Sequence, residues 1–480
     1  MIEHRSLFID GTWVEPAGTD VIEVVSPHTG DIVGRVPHAS ERDVDAAVEA
    51  ARRAFDSGEW PRLSPLDRAK AVGRLADAYE ARAEDMAQLI TLEMGSPISF
   101  SRLVQAGMPI GLLRYYAGLA AEFPFEEERT GMMGNVLVTR EPMGVVAAII
   151  PWNVPQCIIM QKLSPALIAG CTVVLKPSPE TPLDAYLLAE LAEEVGLPAG
   201  VINVVPADRE VSEYLVRHPL VDKVSFTGST GAGRRIAALC GENLKRCALE
   251  LGGKSAAIVL DDADLNNLVT GLRFASLMNT GQACVAQTRI LASRTRYAEV
   301  CDAIVGLAQS LSVGDPSDPA TDVGPLVSSR QRDRVEGYIA RGEKEGAVLA
   351  TGGRRPANMT SGWYVEPTVF TDVNNDMVIA REEIFGPVLS VIPFDDEADA
   401  VRIANDNEYG LAGSVWTRDV AHGIEIARKV RTGTYGVNQY SAELCAPFGG
   451  YKASGIGREM GPEGLSAYLE YKSIAPLDLG

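Results

Sequence analysis

Five short, almost wholly apolar runs recur between residues 145 and 260, at 145–150, 172–175, 201–205, 223–226 and 256–260. A strand open to water on one face alternates apolar with polar residues; these do not. They read as parallel strands covered on both faces. Helical periodicity lies between them, as in residues 182–195, with Thr181 as the expected cap and Gly196 as the stop. Strand–helix alternation of this kind predicts an α/β protein with a Rossmann-like sheet. Upstream, residues 7–14 read as a hairpin about Asp10-Gly11. Ser40 and Asp43 resemble a capping box, followed by apolar Val44, Ala47, Val48, Ala51 and Phe55 at helical spacing. Ser64-Pro65 opens a helix expected to run toward Met94 and end at Gly95. Residues 131–140 read as a short linker or strand. A second α/β unit is expected after Gly253, with a loop at 314–328 and a strand at 364–370, and residues 467–476 alternate weakly.

With 480 residues, two or three domains are expected, and 46 % hydrophobic residues suffice for large cores. The net charge of −20 argues against nucleic acid or an anionic membrane as partner. The seven cysteines (157, 171, 240, 247, 284, 301 and 445) form no CxxC, and the five histidines show no ligand spacing. No metal and no disulfide framework is expected. Residues 142–161 carry no charge, enough to span a bilayer, but Pro151, Asn153, Pro155, Gln156 and Gln161 interrupt them. They read instead as a buried strand, a loop and the start of a helix. With no apolar signal core in Met1–Asp10, a cytoplasmic protein is expected.

Candidate chemistry centres on Met278-Asn279-Thr280-Gly281-Gln282-Ala283-Cys284. Alone, Cys284 is either a buried filler or a nucleophile. Glu250, 34 residues upstream and followed by Gly252-Gly253, can serve as its base. Asn153, at the end of the first apolar run, can aim its amide at a developing oxyanion. Gly228-Ser229-Thr230-Gly231-Ala232-Gly233 follows a strand without the G-x-G-x-x-G spacing, and is either a glycine turn or a pyrophosphate site at a helix start.

These stretches occur in one order with Lys176-Pro177-Ser178, Phe226-Thr227-Gly228-Ser229-Thr230, Glu382-Glu383-Ile384-Phe385-Gly386-Pro387 and the run Pro447 to Gly455. Together they resemble the NAD(P)-dependent aldehyde dehydrogenase family over nearly the whole chain. The resemblance implies a Rossmann-like cofactor domain (1–120 and 143–252), an α/β catalytic domain (253–452) and a small β oligomerisation arm (121–142 and 467–480) in a homodimer or homotetramer. It implies that Cys284 adds to an aldehyde, that Asn153 and the Cys284 amide hold the oxyanion, and that hydride leaves to NAD. Glu250 then activates water against the thioester. Lys162 and Glu459 are either a proton path to Glu250 or an ordinary salt bridge.

For the cofactor, the resemblance implies contacts from Trp152, Gly228 and Ser229 to the pyrophosphate, Lys176 to the adenine-side ribose, and Glu383 and Phe385 to the nicotinamide ribose. Pro179 stands where many NAD-preferring relatives carry Glu; either Glu180 swings in to replace that carboxylate or, as expected, Pro179 limits its inward turn. Lys176 and Ser178 would then accept a 2′-phosphate, so NADP is expected to be accepted beside NAD. The substrate pocket is expected to involve Ile110, Leu113, Val154, Gln161, Leu444 and Phe448, with Glu443 near its mouth. A CoA-acylating enzyme and a non-enzymatic protein of this fold are the alternatives.

Overall fold

The structure is a computed structural model and describes residues 1–132 and 134–475. Four of the apolar runs form parallel strands of one sheet: β1 (Val145–Ile149), β2 (Thr172–Lys176), β3 (Ile202–Val204) and β4 (Lys223–Thr227). Its fifth parallel strand, β5 (Arg246–Glu250), was not expected, because Arg246 and Glu250 interrupt the apolar pattern, and the run at 256–260 belongs instead to a second sheet. The order of the five parallel strands across the first sheet is β5-β4-β1-β2-β3. From β1 the chain winds outward through β2 and β3, then returns to lay β4 and β5 on the other side. Loops leaving β1 and β4 therefore diverge, and a crevice opens at their carboxyl ends. Two apolar clusters cover the sheet, one on each face. The helices that matter here are α1 (Pro155–Ala169), α2 (Leu183–Glu194) and α3 (Thr230–Glu242). All residues of α1 are buried, because it lies inside the first cluster and its sequence has no polar face.

The hairpin forms as expected from Leu7–Ile9 and Thr12–Val14, with Asp10 and Gly11 at φ of 55° and 72°. It extends the sheet beyond β3. On the far edge, Gly455–Ile456 pairs antiparallel with β5.

A second sheet holds β6 (Ala256–Val259), β7 (Arg289–Ser293), β8 (Thr368–Thr371), β9 (Val388–Phe394) and β10 (Gly413–Trp416), in the parallel order β8-β9-β7-β6-β10. It is packed by α4 (Leu265–Leu277) and α5 (Ser329–Lys344), among others. Glu126–Gly131, Gly134–Pro142 and Leu469–Ile474 make a separate three-stranded antiparallel sheet. Residues 476–480 of the expected arm lie outside the described residues. Among the described residues, no helix is long and apolar enough to cross a membrane.

Three local expectations are corrected. The helix expected from Pro65 to Met94 is two, Pro65–Ala81 and Ala83–Met94, because Arg82 (φ −112°, ψ 15°) leaves the helical region and pairs with Asp85. Gly95 does end the second in the left-handed conformation. Thr181 does not cap α2. The buried carboxylate of Glu93, at the end of Ala83–Met94, instead accepts the N–H groups of Leu183 and Asp184 at 2.8 and 3.0 Å. Finally, the strand expected at 364–370 begins only at Thr368, after Pro367, which has no ladder donor. The Ser40–Asp43 capping box is present, ahead of the helix Glu41–Asp56.

Candidate active site

The loop after β1 carries Trp152 and Asn153. The Asn153 carbonyl accepts the side-chain amides of Gln105 and Asn279, each at 2.9 Å. Its own amide nitrogen donates to the Gln282 carbonyl at 3.0 Å, which leaves a second N–H. Asn153 is thus pinned to the loop that precedes Cys284.

That loop is strained. Asn279 and Thr280, with φ of 50° and 61°, and Gly281 at 71° are successive left-handed residues. For a non-glycine residue this costs about 1–3 kcal/mol and persists only when the surroundings hold it. Here the Thr280 hydroxyl donates to the Gly324 carbonyl at 3.2 Å, and the Gln282 side-chain oxygen accepts the Val327 N–H at 3.0 Å. A Cβ on Gly281 would lie 2.3 Å from the Gly386 carbonyl, and one on Gly253 would lie 2.3 Å from the Cys284 carbonyl. The two glycines therefore let the thiol loop sit between the Glu250–Lys254 turn and the Glu383 loop.

Burial and neighbouring carboxylates shift both the thiol and the carboxyl of this site upward. Burial, then the Glu383 and Glu250 carboxylates, push the Cys284 thiol up, while the amides of Val285 and Cys284 partly oppose them. Burial and the nearby Glu459 raise Glu250 well above the usual carboxyl range, with Lys162 and Arg458 pulling the other way. Neither Glu250 oxygen has a hydrogen-bond partner among the described residues. Behind it, the buried Lys162 ammonium donates to Glu459 and to the Thr227 hydroxyl, the latter at 2.7 Å. The second Glu459 oxygen is also unpartnered. Lys162, Glu459 and Glu250 thus share one buried electrostatic neighbourhood.

At the crevice between β1 and β4, a cavity of about 420 Å³ is lined by Trp152, Asn153, Gly228, Ser229, Cys284, Glu383 and Phe385. Trp152 and Phe385 meet edge to face at 5.3 Å. Ser229 caps α3 through its hydroxyl, which accepts the Ala232 N–H at 3.3 Å, so the positive end of a 13-residue helix opens on the cavity. The Glu383 carboxylate accepts the Gly253 N–H at 2.9 Å, and burial pushes it up to about 7. A Cβ on Gly252 would stand 2.5 Å from that carboxylate, so only glycine allows it so close. A helix N-terminus, a glycine cradle and a buried carboxylate acceptor fit the pyrophosphate and ribose of a dinucleotide.

A second cavity of about 390 Å³ is lined by Lys176, Pro179 and Glu180, with Arg330 lining both cavities. Burial lowers the Lys176 ammonium to about 8. Here the reading of Pro179 is corrected. Glu180 is turned into the cavity, where its carboxylate accepts the Ser178 hydroxyl at 2.5 Å and pairs with Arg330 at 3.1 Å. The fixed φ of Pro179 does not hold Glu180 out, because a proline restricts only its own φ and the Ser178 hydroxyl and Arg330 guanidinium meet the carboxylate inside the cavity. Ser178 is consequently engaged by a carboxylate, not free for a phosphate.

The half-buried Ile110, Val154 and Leu444 pack, like Cys284 itself, on the same apolar cluster as the buried Leu113 and Phe448. Gln161 is buried with its amide against the Cys157 and Met460 sulfurs. Glu443 is exposed and accepts the Ser441 hydroxyl, so it faces water.

Sequence reading missed Gln105, Asn279 and Gln282, which aim Asn153, and Arg330, Gln331 and Arg334, which line the cofactor cavity. The last three sit at the start of a highly charged helix and read as solvated surface; their only signal was proximity to a helix start.

A half-buried thiol, an amide donor and a buried carboxyl beside a crevice that fits a dinucleotide are the parts an oxidoreductase working through a covalent thiol adduct requires. Comparison with known proteins agrees. The sequence model of the aldehyde dehydrogenase family matches residues 13–474. A geranial dehydrogenase of Castellaniella defragrans is 51 % identical over 474 residues, covering 98 % of this chain and 99 % of that one. The crystal structure of a Mycobacterium tuberculosis aldehyde dehydrogenase complexed with NAD+ superposes with a TM-score of 0.98 at 50 % identity, covering 100 % of this chain and 99 % of the other. A mutant of aldehyde dehydrogenase C from Pseudomonas syringae, complexed with NAD+ and octanal, gives 0.96 at 42 % identity, covering 99 % and 98 %. The chain belongs to the aldehyde dehydrogenase family. It is an NAD(P)-dependent enzyme that oxidises aldehydes, and the non-enzymatic reading falls.

Proposed function

We propose that the chain oxidises apolar aldehydes of medium length to carboxylic acids with NAD, and releases the acid by hydrolysis. The observation that carries the assignment of roles is that Cys284 and Asn153 line the same cavity as Glu383, with Glu250 buried directly behind. NAD, when bound, supplies the hydride acceptor. The Cys284 sulfur adds to the aldehyde carbon, its proton passing to a neighbouring base, and the free Asn153 N–H and the Cys284 amide hold the resulting oxyanion. Collapse of that adduct leaves a thioester on Cys284. Glu250, after loss of its own proton by way of Glu459 and Lys162, takes a proton from water as the water attacks. Trp152, Gly228 and Ser229 hold the pyrophosphate, Lys176 the adenine-side ribose, and Glu383 and Phe385 the nicotinamide ribose.

The substrate class rests on the apolar character of Ile110, Val154, Leu444 and Phe448, which share an apolar cluster with Cys284, and on Glu443 facing water. The geranial and octanal named for the two relatives are aldehydes of this kind. Hydrolysis, not transfer to CoA, follows from Glu250. The two large sheets correspond to a cofactor domain at 1–120 and 143–252 and a catalytic domain at 253–452; Gly455–Ile456 adds to the first. The antiparallel sheet of 126–142 and 469–474 is an arm for a homodimer or homotetramer, and the enzyme works in the cytoplasm. The test is NADH formation with octanal, geranial and a cationic amino-aldehyde, with and without CoA. Preference for the cationic substrate would overturn the substrate class, and dependence on CoA would overturn hydrolysis.

A further inference from the structure

The mechanism uses one thiol, yet a second thiol site lies in the cofactor domain. Cys240 is near the end of α3 and Cys247 is the second residue of β5. Between them the chain reverses through Leu244, at φ 53°, and the Lys245 N–H returns to the Cys240 carbonyl at 2.9 Å. This tight reversal folds the strand back along the end of the helix. The two side chains share one apolar cluster, Cys240 fully buried and Cys247 half-buried, and each thiol acts on the ionisation of the other. Side chains alternate along β5, so Cys247 and Leu249 face α3 while Glu250 points to the opposite face. The pair is thus separated from the catalytic thiol by the sheet itself. A metal is not indicated, since no cluster of three or more His, Cys, Asp or Glu side chains able to hold one occurs among the described residues.

We propose that Cys240 and Cys247 form a reversible dithiol–disulfide couple, an oxidation site distinct from Cys284. Two features make Cys247 the attacking sulfur. It is the more exposed of the pair, and the Cys240 thiol and the Lys223 ammonium both favour its thiolate. The oxidant is a peroxide or a diazene. With hydrogen peroxide, the Cys247 thiolate takes one oxygen as the O–O bond breaks, giving a sulfenic acid and, with one proton, hydroxide converted to water. The Cys240 sulfur then displaces the second oxygen as water, losing its proton, and the S–S bond forms. Two thiols have lost two electrons and two protons in all, and a dithiol reductant restores them. Cys284 is not drawn in, because its burial and the flanking carboxylates disfavour its thiolate.

The sequence makes the test direct. Lys245 and Arg246 stand between the two cysteines, so trypsin separates residues 236–245 from 247–254 unless a disulfide joins them. The purified enzyme is treated with diamide, free thiols are blocked with iodoacetamide, and the non-reduced digest is read by mass spectrometry. The expected result is loss of both alkylated peptides and appearance of the 236–245/247–254 linked species, reversed by dithiothreitol and absent in Cys247→Ser. Cys240→Ser is the second variant and should leave Cys247 singly alkylated or as its diamide adduct. Recovery of both peptides as separate alkylated species, under conditions that consume the exposed Cys445 thiol, would overturn the proposal. So would linkage of either cysteine to Cys284 in place of its neighbour.

Discussion

Glu180 accepts the Ser178 hydroxyl at 2.5 Å inside the cavity that Lys176 also lines. A carboxylate there can accept a ribose hydroxyl and repels a 2′-phosphate, so a preference for NAD over NADP is the expected outcome. A hydrogen bond to a charged group contributes about 1.5–3 kcal/mol, so its loss costs about one to two decades of preference. Glu180→Gln is expected to narrow the NAD-to-NADP ratio of kcat/KM by about 10- to 100-fold. An unchanged ratio would mean that Glu180 does not discriminate.

Arg330 spans both halves of the cofactor crevice and pairs with Glu180 while remaining largely exposed. Exposed pairs contribute little, about 0–1 kcal/mol. Arg330→Ala is therefore expected to raise the KM for NAD by less than about tenfold and to leave kcat within a factor of two or so. Steady-state kinetics at two ionic strengths check this, the difference between wild type and variant shrinking as salt rises.

Cys284→Ala should reduce aldehyde oxidation to background while leaving the circular dichroism spectrum unchanged, because the thiol supplies the covalent step. Labelling follows a different order from reactivity. Cys445 is exposed and Cys284 is half-buried with its thiol raised, so iodoacetamide should reach Cys445 first in the free enzyme. Peptide mapping of a time course decides it.

Glu250→Gln should lower turnover by about 10²–10⁴-fold while allowing one burst of NADH, with the acyl-enzyme visible by intact mass. In the wild type, burial raises Glu250 above the usual carboxyl range, so the hydrolytic step should accelerate as pH rises and the carboxylate forms. Lys162→Met removes a cation that opposes the rise, so the limb should move to higher pH. A limb that stays in place would separate Lys162 from Glu250.

Glu93 and Asp184 are both raised by burial, and Glu93 further by Asp184. Folded carboxyls with raised pKa bind more protons than the unfolded chain, so this stability is complete below the unfolded carboxyl range and is lost as pH rises through the folded values. Asp184→Asn should flatten the fall of Tm on the alkaline side of the acidic range, measured by thermal melts from pH 4.5 to about 8. A slope equal to that of the wild type would show that the pair does not titrate with folding.

Apolar runs without alternation were enough to predict parallel strands buried on both faces, and Asp10-Gly11 and Ser40–Asp43 enough to place a hairpin and a helix start. These features are local: a tight turn needs positive φ, and an orphan N–H needs an acceptor nearby in the chain. Cys284, Glu250 and Asn153 were legible because each sits in a distinctive short motif. What the chain could not show was anything set by residues distant in sequence and joined only by packing. Glu93 replaces Thr181 as the cap of α2 from 90 positions away. Gln105 and Asn279 aim Asn153 from 48 and 126 positions away, and Arg330 reaches the cofactor crevice from a helix that reads as solvated. The turn of Glu180 past Pro179 was decided the same way. A proline restricts its own φ, but the direction of the next side chain is set by the hydroxyl and guanidinium that meet it, and those come together only when the two sheets have packed.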